Sequence, residues 1–138
     1  MPGTVFVLDS SAVVRFLDKE AGWSRVAAIL EAHRDQTAEA AISAVQWGEI
    51  AGVVRKKRGA TAQETILDHL SLFQLRVVAA TAERAVRAAE IKQDRQLPYA
   101  DAFALELAMD SADHLLVTAD YDFKIVADLA RIEFLPLK

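Results

Sequence analysis

The sequence predicts an α/β fold of three layers, with helices on both faces of a mainly parallel central sheet. Three observations carry this. Short apolar runs alternate along the chain with longer segments that begin at helix-capping residues, often two such segments between strands. The runs TVFVL and HLLVT are apolar throughout, as strands covered on both faces are. No repeat, low-complexity stretch or Pro/Gly/Ser-rich linker divides the 138 residues, so a single domain spanning 1–138 is expected.

The elements follow in order. TVFVL (4–8) is a buried strand, and the DSS after it supplies Ser10 or Ser11 as N-cap of a short helix, AVVRFLD. Gly22 breaks that helix, and WSRVAAILEAHR forms the next. EAAI (39–42) is a strand. Ser43 and Gln46 make an S-x-x-Q capping box for a helix that runs to Gly59, and Thr61 with Glu64 repeats the device for a helix over 62–75. RVVAA (76–80) is a strand, and Thr81 caps a helix over 82–95. Pro98 sits at the first position of a helix over 98–111. HLLVT (114–118) is a strand, YDFKIVADLA a short helix and RIEFL (131–135) the last strand.

Composition narrows the chemistry. With 53% hydrophobic residues the chain can build a core, and without cysteine it has no disulfide, thiol nucleophile or Cys-ligated zinc site. The N-terminus does not read as a signal peptide and no apolar run approaches a membrane span, so a cytoplasmic protein that does not engage the membrane is expected. A net charge of −4 argues against general binding of nucleic acid, unless carboxylates hold divalent cations that reverse the local sign.

The acids point that way. Ligands of such folds bind at the carboxyl ends of the strands, and Asp9 directly follows the first strand, while Asp120 and Asp122 follow HLLVT. Asp101 lies in the first turn of its helix. At ~100° per residue, Tyr99, Glu106 and Asp110 fall within roughly 40° of one another as a water-facing stripe. Asp101 falls about 200° away, beside Ala104, Leu105 and Ala108, and so faces inward. Glu49 is acidic in an apolar stripe, with Val45 and Val53 one turn to either side. Singly, each acid has an ordinary reading: a cap, a helix-dipole partner, an ion pair or a turn residue. Together, with no equal set of inward bases, they call for a shared cation, and oxygen-only ligands suit Mg²⁺ or Mn²⁺.

Other features are read more plainly. His33, His69 and His114 form no catalytic set, and no phosphate-loop, dinucleotide or nucleophile-elbow motif occurs. Trp23 and Trp47 are core or interface anchors. The run Arg55, Lys56, Lys57, Arg58 is first a set of cations at a helix C-terminus, and second a candidate contact to RNA phosphates.

Four segments, VFVLDSSAVVRFL, SAVQWGEI, LPYADAFALELA and LLVTADYDF, resemble in order and spacing the acidic motifs of PIN-domain ribonucleases. The short length and the TADYDF segment look most like the VapC-type toxins of type II toxin–antitoxin pairs. The resemblance covers nearly the whole chain and implies a PIN-like three-layer fold. It implies that Asp9, Glu49, Asp101 and Asp120 are the catalytic acids. Asp9 and Asp101 would be the principal ligands of one or two Mg²⁺ ions (Mn²⁺ as substitute), and Asp122 a further candidate ligand. Ser10 and Thr118 match the hydroxyl positions that support such a site. The resemblance further implies a homodimer and a cognate antitoxin that blocks the acidic pocket.

The implied activity is metal-dependent endonucleolytic cleavage of RNA, the general base being a carboxylate or metal-bound hydroxide. Two readings compete. A phospho-receiver domain would need an acidic pair after the first strand and an acid ending a middle strand, and DSS and RVVAAT supply neither. A catalytically silent PIN-like binding module is distinguished by loss of acids, and all four are kept.

Overall fold

The computed structural model describes residues 3–138. Strands β1 (Val5–Leu8), β2 (Glu39–Ser43), β3 (Arg76–Val78), β4 (His114–Thr118) and β5 (Arg131–Phe134) form one sheet in the order β3-β2-β1-β4-β5. Every pairing is parallel, because helical or turn segments carry the chain back across the sheet between successive strands.

Alternation along the central strands feeds two cores. Leu8 and Val117 point to the face covered by α1 (Ser10–Asp18), α2 (Trp23–Arg34) and α3 (Ala44–Ser71), where they join Val13, Ile29, Leu30 and Ile50. Val7 and Leu116 point to the face of α4 (Ala82–Arg95) and α5 (Tyr99–Ala108), with Leu97, Leu105 and Phe123. This is the predicted α/β three-layer class.

Two glycines act through backbone geometry. Gly22, at φ 87°, caps α2 where a Cβ would stand 2.9 Å from Leu135 Cβ, so chirality and space both require glycine. Gly59, at φ 90° and ψ 175°, breaks α3 where the sequence ends a helix.

Several boundaries differ from expectation. The second arm of α3 stops at Ser71, not 75, because Leu72 and Phe73 bond back to His69 and Leu70 in tight i→i+3 turns. β3 is three residues long and ends at Val78. Tyr121–Val126 is a 3-10 helix, closed by Phe123 N–H to the Asp120 carbonyl at 3.3 Å. Pro98 is the N-cap of α5, with ψ 145°, rather than its first helical residue, and α5 ends at Ala108 rather than 111. The N-cap of α1 is Asp9, not Ser10 or Ser11.

Of the stripe of Tyr99, Glu106 and Asp110 on α5, Tyr99 and Asp110 are exposed as expected, but Glu106 meets α4 instead of water. Glu106 is buried, its carboxylate taking Arg84 at 2.9 Å and Arg87 at 2.8 Å, while Arg84 also reaches Asp110 at 2.6 Å. The Tyr99 hydroxyl donates to the Ala85 carbonyl at 3.2 Å. The partners on α4 are long cations and a backbone oxygen, so Glu106 is covered without loss of hydrogen bonds.

The histidines are structural or exposed. His33 accepts the Ala40 N–H and donates to the Gln74 carbonyl, both at 2.9 Å, and His114 donates to the Leu107 carbonyl at 2.9 Å. His69 stacks edge-on against Phe73. Among the described residues no helix is long and apolar enough to cross a membrane.

Candidate active site

From β1 the chain moves through β2 to β3 on one side, then returns with β4 to the other side of β1. At such a reversal the loops leave in opposite directions and open a crevice beyond the strand ends, the usual ligand site of an open α/β sheet. Asp9 stands at the end of β1 and Asp120 just beyond the end of β4.

Asp9 is 1% exposed, and its two carboxylate oxygens have unequal surroundings. Oδ2 accepts the Ser11 N–H at 3.3 Å, the Thr118 hydroxyl at 2.9 Å and the Ser11 hydroxyl. Oδ1 is buried and accepts nothing. Capping α1 therefore uses one oxygen and leaves the other without a donor. Burial raises the Asp9 carboxyl above the ordinary range, and the Asp120 charge adds to this, while the Ser11 and Thr118 bonds pull it down.

Two hydroxyls lock this corner. Thr118 Oγ1 also accepts the Asp120 N–H at 2.9 Å, and Ser11 Oγ accepts the Ala119 N–H at 2.9 Å. β1 and β4 are thus tied together just past their last ladder bond. Thr118 is where the sequence placed a supporting hydroxyl. The second hydroxyl on Asp9 is that of Ser11, while the Ser10 hydroxyl donates to Glu49 at 3.3 Å. The DSS pair offers two serines, and only the i+2 hydroxyl can fold back onto the cap carboxylate.

Asp101, in the first turn of α5, is half-buried and its carboxyl is pushed up to about 7. Burial is the larger cause; the charges of Asp9, Asp120, Glu49 and Asp122 follow. The structure thus brings acids from both helical layers to one sheet edge, near enough to bear on one another. Glu49 is exposed, against its expected place in an apolar stripe: Val45 and Val53 are only half-covered, so that side of α3 is the rim of the crevice. Asp120 Oδ1 caps the 3-10 helix by accepting the Asp122 N–H at 2.9 Å, and Asp122 is exposed.

Gln46 was read as half of a capping box, but its side chain does not reach back to Ser43. Ser43 caps α3 alone, accepting the Val45 N–H at 3.2 Å. Gln46 is wholly buried and spans from the Ser10 N–H, at 2.7 Å, to the Ala100 carbonyl, at 2.6 Å. A buried amide in an otherwise apolar helix face was the signal in the sequence. Its partners, 36 and 54 positions away, were not visible there.

Of the basic run, Arg58 and Lys57 pair with Asp18 at 2.5 and 3.8 Å, and Arg55 donates to Gln63 at 2.9 Å. These bonds tie α1 to α3 and brace the break at Gly59. Lys56, among the described residues, is the member of the run outside any ion pair or side-chain hydrogen bond. A separate cleft of about 650 Å³ between α4 and the far half of α5, lined by Arg87, Ile91, Glu106 and Met109, contains none of these crevice acids.

The donor set fits a hard divalent cation. All candidate ligands are carboxylate oxygens, the buried Oδ1 of Asp9 has no other partner, and Asp101 is disfavoured in its ionised form by its neighbours. Among the described residues no three His, Asp or Glu side chains converge tightly enough to hold an ion by themselves. Mg²⁺ tolerates that, being commonly held by one or two carboxylates with water and phosphate oxygens completing its shell.

Comparison with known proteins places this geometry in a family. The family model described as PIN domain matches residues 6–129. The fold is shared with VapBC2 from Rickettsia felis bound to promoter DNA, at TM-score 0.73 and 14% identity over 96% of this chain and 100% of that one. It is shared with VapC20 from Mycobacterium tuberculosis, described as a Sarcin-Ricin loop cleaving toxin, at TM-score 0.67 and 20% identity over 96% and 100%. DNA-bound VapBC from Salmonella typhimurium is similar at TM-score 0.68 and 14% identity over 95% and 98%. No curated protein sequence matches. Motif order, sheet topology and a family match covering most of the chain agree: this protein belongs to the PIN-domain family.

Proposed function

We propose that this chain is a Mg²⁺-dependent endoribonuclease, the toxin of a toxin–antitoxin pair, with Asp9, Glu49, Asp101 and Asp120 as its catalytic acids. The observation that carries the reading is the buried, unpartnered Oδ1 of Asp9 at the strand-order reversal, on a residue whose charge Asp101 feels together with those of Asp120, Glu49 and Asp122. The solved structures of similar fold include toxin–antitoxin complexes and an RNA-cleaving toxin, which supports the biological role.

Asp9 and Asp101 would hold the ion, with Mn²⁺ able to replace Mg²⁺ and room for one or two ions. Glu49, Asp120 and Asp122 complete the acidic rim. The ion supplies water activation and charge neutralisation at the scissile phosphate. The chain's own groups do the rest. Ser11 and Thr118 hold Asp9 through Oδ2, which leaves the buried Oδ1 free of other partners for a ligand. Asp101, pushed up to about 7 by burial and its acidic neighbours, is favoured in its ionised form once a cation offsets those charges, and the general base is a carboxylate of the rim. Ser10 steadies Glu49 at the rim, where RNA enters. Lys56 is the member of the basic run left for phosphate contact, with Arg55, Lys57 and Arg58 behind it.

The wider reading is of a cytoplasmic homodimer held in check by a cognate antitoxin. The test is cleavage of varied RNAs by purified protein with Mg²⁺, Mn²⁺ or chelator, alongside Asp9→Ala and Asp101→Ala. Cation-dependent cleavage by the wild type, lost in both variants, is the expected result. Unchanged cleavage in both sinks the assignment, and a wild type inert on every RNA favours a PIN-like binding module.

A further inference from the structure

Gln46 is buried at 0% exposure, yet it is polar and lies on α3 one turn before Glu49. Both ends of its amide are used, and they are used on backbone groups of other elements. Oε1 accepts the N–H of Ser10, the residue after Asp9, at 2.7 Å. Nε2 donates to the carbonyl of Ala100, the residue before Asp101, at 2.6 Å. Only one orientation of the amide satisfies both partners, since one is a donor and the other an acceptor.

The two contacts cross the molecule's layers. Ser10 opens α1 on one face of the sheet and Ala100 lies in the first turn of α5 on the other. One side chain therefore fixes how far the first turn of α5 stands from the turn after β1, and carries Glu49 on the same helix. Few side chains can replace it. Glutamate lacks the donor, lysine lacks the acceptor, methionine lacks both, and asparagine is one methylene too short.

We propose that Gln46 is a positioning residue that sets the separation of Asp9 and Asp101, and with it the affinity of the site for its divalent ion. This rests on the metal-dependent reading above. It adds that the spacing of the two acids is held by an uncharged residue outside the acidic set.

The experiment is a titration of purified protein with Mn²⁺, following the free ion by electron paramagnetic resonance, for wild type, Gln46→Met and Gln46→Asn. Fold is checked by circular dichroism, and kcat and KM are measured on a cleaved RNA. Met keeps length and volume without the amide; Asn keeps the amide without the reach, and carries the test if the Met variant unfolds. A folded variant should bind Mn²⁺ at least about tenfold more weakly, as loss of a group that orients ligands does. Its kcat should fall while KM for RNA changes less than about twofold. A space-filling role alone predicts that Gln46→Met keeps wild-type affinity; a folded variant within about twofold of wild type in Mn²⁺ affinity overturns the proposal. Wild type that binds no Mn²⁺ overturns the metal reading and this inference with it. Wild type that binds Mn²⁺ but cleaves no RNA overturns only the nuclease reading, because Gln46 is judged on affinity.

Discussion

Thr118 donates its hydroxyl to Asp9 Oδ2 at 2.9 Å, joining residues 109 positions apart. The register of β1 on β4 makes this possible: Leu8 pairs with Val117, so the next residue of each strand stands side by side. The same hydroxyl accepts the Asp120 N–H, so it serves the two acids at once.

Thr118→Val keeps the shape and removes both bonds. It leaves the part-buried Asp120 N–H without its partner and removes one of the donors to the buried Asp9 Oδ2. The expected cost is about 1–3 kcal/mol of stability, read by urea unfolding. Cleavage should drop roughly 10–100-fold, since Asp9 loses a group that orients it. A variant as active as wild type would mean that Asp9 is held by Ser11 alone.

The raised Asp101 carboxyl makes stability depend on pH. Its folded value is about 7 against 3.8 for the free group, so between these values the folded chain binds more protons than the unfolded chain. Stability from this group is full below the lower value and is lost as pH rises through the upper one; Asp9, also raised, acts in the same direction. In chelator, the melting temperature of wild type should fall between pH 5 and pH 8 by more than that of Asp101→Asn. Mg²⁺ should restore it at pH 8 in wild type only. Parallel pH curves for the two proteins would remove Asp101 as the cause.

The features readable in the sequence were those with a local signature. Asp9 and Asp120 lie at strand ends that any parallel-sheet reading locates, and the helical wheel turned Asp101 inward. What stayed hidden depended on partners far along the chain. Ser10 and Ser11 are equivalent in sequence, and only the return of β4 selects Ser11. Gln46 fitted a capping box, a local pattern that lost to two backbone partners the fold brought nearer. Glu106 was placed in water because a wheel shows a polar face but not what covers it; Arg84 and Arg87 arrive from α4.

The two serines after Asp9 should therefore separate on mutation. Ser11→Ala removes a hydroxyl that donates to Asp9 and accepts from Ala119, and should cost about 1–3 kcal/mol with a clear loss of cleavage. Ser10→Ala removes one long bond to exposed Glu49 and should stay within about 0.5 kcal/mol. Side-by-side unfolding and cleavage assays decide it, and equal effects would contradict the division of roles.

Glu106 makes the opposite kind of prediction, a loss of stability with the metal site intact. Its side chain is 3% exposed and Arg84's 19%, whereas Arg87 is 49% exposed. Removing the acid leaves Arg84, 19% exposed, with Asp110 as its remaining carboxylate partner beside the α4–α5 cleft, so Glu106→Ala should cost about 1–3 kcal/mol. Arg87→Ala loses only an exposed partner and should cost less than about 1 kcal/mol. Glu106→Gln, which keeps an acceptor for one arginine, should lie between them. The network sits on the α4 side of α5, and Asp101 faces the other way. Mn²⁺ affinity of folded Glu106→Ala at low temperature should therefore match wild type, and a parallel loss of affinity would show that the α4–α5 contact sets the position of Asp101 as well.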